Sequence, residues 1–154
     1  MQADLTEDGE LLGNTLSKLK ARACEGNARA AGLLGRKYHS GHEEFHADLA
    51  RSRRYLTFAA SRGEGTSATD LVMQLLAGGP GSLEEARKWL QVAQFSQGRD
   101  AVLVRLAENA LEMASKEAAG NAEEGEAAAG EAAVIIHFIR NGLPNPQYQP
   151  PCQL

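Results

Sequence analysis

Tyr38-His39-Ser40-Gly41-His42-Glu43-Glu44-Phe45-His46 is the stretch on which the division of this chain into helices turns. Ser40 followed at the third position by Glu43 has the spacing of a capping box. In that motif the serine hydroxyl accepts an orphan amide of the first turn and the glutamate returns to the amide of the cap. The spacing predicts a helix from Gly41 to about Ala60, with Phe45, Leu49, Tyr55 and Leu56 on its apolar face. The Ser61-Arg62-Gly63-Glu64-Gly65 cluster then reads as a turn.

Upstream, Leu5, Leu12, Leu16, Leu19 and Ala23 fall at helical intervals and form one apolar stripe. The pattern then meets Gly26, Gly32, Gly35 and Gly41, each of which weakens a helix by ~1 kcal/mol relative to alanine. Two readings follow: one glycine-notched helix reaching Lys37, or two helices meeting near Gly26-Asn27. Downstream, Ser67 with Asp70 and Ser82 with Glu85 repeat the capping-box spacing and predict two further helices. The first carries Leu71, Val72, Leu75 and Leu76 and stops at Gly78-Gly79-Pro80-Gly81; the second carries Leu83, Ala86, Leu90 and Ala93 and stops by Gly98.

A last helical region spans Asp100 to Arg140, read either as one long helix or as two meeting at Gly120-Asn121, where the asparagine can cap a new start. Its first half is read with Leu103, Leu106, Ala110 and Met113 toward the core. Asn141-Gly142 followed by Pro144 is a C-cap signal, and the segment beyond carries four prolines in twelve residues, which reads as extended backbone. No run alternates long enough for a strand, and no fixed-period repeat is visible. The expected architecture is all-α: a compact bundle of five or six helices in residues 1–142, with a proline-rich extended tail at 143–154.

At 154 residues the chain is one domain by size, able to bury roughly 68–70% of its unfolded surface. Much of its 43% apolar content is alanine and only 5% is aromatic. The core is therefore thin per residue, and association that buries a further face is expected. The net charge of −4 hides an asymmetry. Residues 18–62 carry ten bases and four acids, a net +6, whereas residues 63–154 carry six bases and twelve acids, a net −6.

An acidic whole argues against non-specific binding to membranes or nucleic acid, although the basic segment could still attract phosphates. Arg51, Arg54 and Arg62, with Tyr55 between them, are the residues best suited to such contacts. Arg51 and Arg54 share a helix face and Arg53 points away, so they form no continuous track. Two cysteines, Cys24 and Cys152, do not make a disulfide scaffold; the expectation is a cytoplasmic protein with no bridge. No apolar run approaches the ~20 residues of a membrane span.

The histidine stretch also carries the chemistry-bearing candidates. On a continuous helix His39, Glu43 and His46 share one stripe with His42 beside it, and His42-Glu43-Glu44-Phe45-His46 satisfies the His-Glu-x-x-His order. In that order two histidines hold Zn²⁺ and the glutamate activates water, which casts His42 and His46 as ligands and Glu43 as catalytic base. His39 or His137, or else Glu108 or Glu112, would have to complete the site. Glu43-x-x-His46 is also the pair that di-iron helical proteins use twice, but no second copy exists here.

Glu43 has a competing role as the partner of Ser40, and the same histidines suit the solvated boundary of a helix. The leading expectation is consequently a non-catalytic assembly or partner-binding protein, homo-oligomeric or bound to another protein. A metal-dependent enzyme using Zn or Fe at His42, Glu43 and His46 is the second reading, and nucleic-acid binding through the basic segment the third.

Overall fold

The computed structural model describes residues 15–41, 46–78, 82–96, 100–118 and 122–151. Among them lie seven helices and no strand: α1 (Thr15–Cys24), α2 (Ala28–Ser40), α3 (Leu49–Ser61), α4 (Gly65–Ala77), α5 (Leu83–Phe95), α6 (Ala101–Ala118) and α7 (Ala122–Arg140). The all-α expectation holds. The count of five or six is corrected to seven among the described residues, in part because the chain is interrupted near Gly26; the break read at Gly120-Asn121 lies outside the described residues.

Of the two readings at Gly26-Asn27, the two-helix one is right. Gly26 takes a φ of +102°, which glycine adopts without the Cβ penalty. Its amide donates to Ala23 O and that of Asn27 to Arg22 O, closing α1 in a Schellman motif. The Asn27 side chain then accepts from the Ala30 amide and opens α2. Gly63, at φ +96°, ends α3 in the same way, with its amide on Ala60 O and that of Glu64 on Ala59 O. Gly142 ends α7 likewise, as expected from Asn141-Gly142.

The capping box at Ser40 is not formed. Ser40 is the last residue of α2, its hydroxyl donating to Arg36 O at 3.4 Å, and Gly41 follows at φ +87° with its amide on Lys37 O. The next helix starts eight residues later than its sequence signal, capped by Asp48, which accepts from the Arg51 amide at 3.1 Å. The Asp48 amide donates to Tyr38 O at 2.8 Å and pins the two ends of the connection together. A box requires its serine to precede the helix, whereas the apolar spacing of Leu34 and Tyr38 carries α2 through Ser40.

Similar shifts occur farther on. Glu64, not Ser67, caps α4, accepting from the Ser67 amide and hydroxyl, and Ser82 begins α5 without a side-chain cap bond.

The helices stack as hairpins in two layers. α2, α4 and α6 lie side by side, as do α3, α5 and α7, while each helix from α1 to α5 also packs on its successor. Among the described residues α6 and α7 do not pack on one another; α7 instead crosses to α5 and α3. This is the manner in which helix-pair repeats build a shared core, each layer burying the stripe of the next. Four successive helices, α2 to α5, each have 13 residues.

The apolar interior falls into two clusters. One joins Leu19, Ala31, Leu34, Tyr38, Tyr55 and Phe58 at the α1–α3 end. The other centres on Leu71, Val72 and the fully buried Trp89, with Val104, Leu111 and Ile135 from the last two helices. Small residues set the spacing: a Cβ on Gly35 would lie 2.6 Å from the Leu56 side chain, and one on Gly32 2.6 Å from Ser67 Oγ.

On α6 the expected stripe is corrected. Val104, Ala107 and Leu111 face the core, whereas Leu106 and Met113 are exposed together with Val102. Both sets keep helical periodicity, so packing partners rather than spacing decide between them.

The segment after Gly142 is not simply extended. Asn145 is buried and its side chain accepts from the Gln147 amide, the Tyr148 amide closes a turn on Asn145 O, and the Tyr148 ring stands edge-on to Trp89 at 5.9 Å. Cys24 is disulfide-bonded, which corrects the expectation of no bridge; Cys152, the other cysteine of the sequence, lies outside the described residues. No described helix is long and apolar enough to cross a membrane.

Candidate functional site

Among the described residues, two of the concavities on the stacked helices are lined by both apolar and charged side chains. The larger, about 730 Å³, lies between the exposed side of α3 and the Gln147–Pro151 segment that the Tyr148–Trp89 contact holds in place. That volume is within the range of ligand clefts. Its surface is mainly apolar, from Leu49, Ala50, Phe58, Tyr148 and Pro151, and Arg53 and Arg54 bring two guanidiniums to it.

Among the described residues no carboxylate pairs with Arg53 or Arg54. Arg53 Nε is buried with no hydrogen-bond partner. A buried donor without an acceptor costs about 1–3 kcal/mol of desolvation.

The three arginines expected to face phosphates are dispersed. Arg54 lines this cleft. Arg51 pairs with Asp48 at 3.6 Å and covers the Tyr38 ring at 5.8 Å. Arg62 stands over the Phe58 ring at 4.7 Å. Tyr55, read both on the apolar face of its helix and among the contact residues, is buried in the core, its ring parallel to that of Tyr38, so only the first role is open to it. Burial raises the Tyr55 phenol above its ordinary value, Tyr38 adding to the shift and Arg51 opposing it.

The smaller concavity, about 410 Å³, runs between α2 and α4 with Leu56 of α3 as an apolar part of its wall. Arg36 reaches across it to Asp70 at 3.2 Å and toward Glu64 at 3.9 Å. Burial raises the Asp70 carboxyl above the usual aspartate value, against the lowering effect of Arg36. Gln74 lines the same groove. Its Nε2 donates to Ser52 Oγ at 2.9 Å, and that hydroxyl in turn donates to Gly35 O at 2.6 Å.

This chain of donors ties α2, α3 and α4 together and was not legible in the sequence, where Ser52 and Gln74 carry no motif. The only signal was their place on otherwise apolar helix faces.

His39 lines this groove at the exposed end of α2. His46 is exposed before α3, and His137 is exposed on α7, with its ring nitrogen Nδ1 3.3 Å from Asn141 Nδ2. His42 and Glu43 lie outside the described residues. The single helical stripe expected to join His39, Glu43 and His46 is not present, because α2 ends at Ser40 and α3 begins at Leu49. Among the described residues no group of three or more His, Cys, Asp or Glu gathers that could hold a metal ion. Of the carboxylates considered as further ligands, Glu108 accepts from Gln94 and Glu112 pairs with Lys116.

No family model, curated protein or solved structure matches the chain.

Proposed function

We propose that this protein is a non-catalytic scaffold that binds a protein partner, docking an acidic and partly apolar peptide segment in the cleft between α3 and Gln147–Pro151. The observation that carries this reading is the pairing of a mainly apolar cleft with two guanidiniums that no described carboxylate neutralises. Apolar side chains of the segment would cover Leu49, Phe58 and Tyr148 while a carboxylate meets Arg53 or Arg54. A charge-assisted bond to a half-buried guanidinium is stronger than one at an exposed site. A polyphosphate strand would make little use of the apolar wall, so the cleft chemistry favours a peptide.

Selection from a random peptide library displayed on phage tests it directly. Enrichment of sequences combining Asp or Glu with Leu or Phe is expected, with affinity falling at least about tenfold, or ~1.4 kcal/mol, in the Arg53→Glu/Arg54→Glu variant. Enriched peptides that bind the charge-reversed variant equally well would remove the cleft as the docking site. Enrichment of basic sequences would contradict the charge argument.

A second reading, self-association, is favoured by Val102, Leu106 and Met113, which lie exposed along α6. Adjacent exposed apolar side chains of this kind mark association surfaces. Arg105 and Glu108, and Glu112 and Lys116, supply charges of both signs along the same helix, as an antiparallel pairing of α6 with a second copy requires.

A further inference from the structure

α3 and α5 repeat one another, and only one of them has its outer face filled. Aligned at Leu49 and Leu83, the two 13-residue helices correspond position by position, a match that shows once the helix starts are fixed. Arg54 falls with Lys88, Tyr55 with Trp89, Leu56 with Leu90 and Ala59 with Ala93. The last three pairs are buried in both helices, so both turn the same positions to the core.

The faces away from that core differ. Leu83 is 3% exposed and Leu49 55%, while Lys88 is buried and Arg54 is exposed. What covers α5 is α7. It packs along α5, its Glu131 meets Lys88 Nζ at 3.3 Å, and its Ala132 and Ile135 join the apolar cluster that contains Leu83. Among the described residues no helix does the same for α3, on which α5 packs only sparsely. Leu49 and Arg54, the counterparts of Leu83 and Lys88, instead line the open cleft.

We propose that the α3 cleft seats an amphipathic helix of a partner protein as α5 seats α7, with a glutamate of that helix on Arg54 where Glu131 stands on Lys88. Small and branched apolar side chains of the helix lie against Leu49 and Phe58. The inference rests on the peptide-docking reading above and adds the conformation of the segment and the ion pair that sets its register. The chain itself supplies the pattern: Glu131 stands beside Ala128, Ala132 and Ile135, which are buried on one stripe at helical spacing. An arginine in place of the lysine keeps the sign of the charge and offers a planar fork to the carboxylate.

The test is an NMR titration of the full isotope-labelled chain with a capped peptide that has the sequence of Glu126 to Arg140. Saturable shifts of the Leu49 methyls and the Arg54 side chain are expected, with a dissociation constant of ~0.3 mM or lower. A free peptide of this length is a marginal helix, so helical contacts within it should appear only on binding.

Glu131→Lys in the peptide and Arg54→Glu in the protein should each weaken binding at least about tenfold, and the two together should restore it. Arg54 is exposed, so its replacement leaves the core untouched. Ala133→Pro in the peptide breaks the helix at a position exposed on α7 and should abolish binding.

Equal binding by the Ala133→Pro peptide, or no saturable shift up to ~2 mM of the parent peptide, would overturn the proposal. In that event, acidic and apolar library peptides that still depend on Arg53 and Arg54 would leave the docking reading standing, and their absence would remove both. Shifts centred on Lys88 and Trp89 would mean that the peptide displaces the chain's own α7, and would overturn the proposal too. Self-association of the native chain that the peptide dissolves would give the seat to α7 of a second copy and overturn the assignment to a partner protein.

Discussion

Asp70 is a carboxylate held between two opposing influences. Burial disfavours its charge and Arg36 favours it, with burial the larger. The folded carboxyl thus binds its proton more tightly than the unfolded one, whose ordinary value is 3.8. As pH falls through that raised value the folded state takes up a proton first and gains stability; as pH rises through it the gain is lost. Replacing Asp70 by Asn removes the ionisation while leaving Arg36 its second partner, Glu64. Urea unfolding of both proteins across the acidic range is the measurement. The stability of Asp70→Asn relative to the native chain is expected to rise with pH from below 3.8 to above the raised value, then level off. A constant difference would show that burial does not dominate at this carboxyl.

Between elements, glycine has two separate uses. In α2, Gly35 lets the helix approach α3 until Leu56 occupies the space of its missing side chain. In α7, Gly130 has open space where a Cβ would stand. Alanine favours a helix interior by ~1 kcal/mol over glycine at either position, but overpacking a filled contact costs typically 1–3 kcal/mol. Gly35→Ala is therefore expected to lower stability by up to ~2 kcal/mol, whereas Gly130→Ala raises it by up to ~1 kcal/mol. Thermal midpoints of the two variants should move in opposite directions. A stabilised Gly35→Ala would mean that α2 and α3 are not packed this closely.

The sequence marked two helix ends through the same residue type, Gly63 and Gly142, and at Gly26 it left open the stop that the structure shows. It placed the start of α3 wrongly, because Ser40 and Glu43 have capping spacing whether or not the backbone before them is already helical. Asp48, the true cap, has no box partner, and only its position after the connection from α2 makes it one.

Over the whole molecule, two layers of helices meet across a core of leucine, aromatic and alanine side chains, and α6 leaves apolar surface uncovered. If α6 pairs with a second copy through Val102, Leu106 and Met113, light scattering over a concentration series should show the mass rising toward that of two chains. The Leu106→Glu/Met113→Glu variant should hold it at one chain. A single-chain mass at every concentration for the native protein would end that reading.

All-helical structure and the stops at Gly63 and Gly142 were determined by local sequence alone, since periodicity and backbone freedom are properties of a few neighbouring residues. Which stripe of α6 is buried, the turn that carries Tyr148 onto Trp89 and the gathering of Arg36, Asp70 and Gln74 into one groove were decided only by tertiary structure. Each of these depends on which distant surface a side chain meets, and no spacing along one helix encodes that.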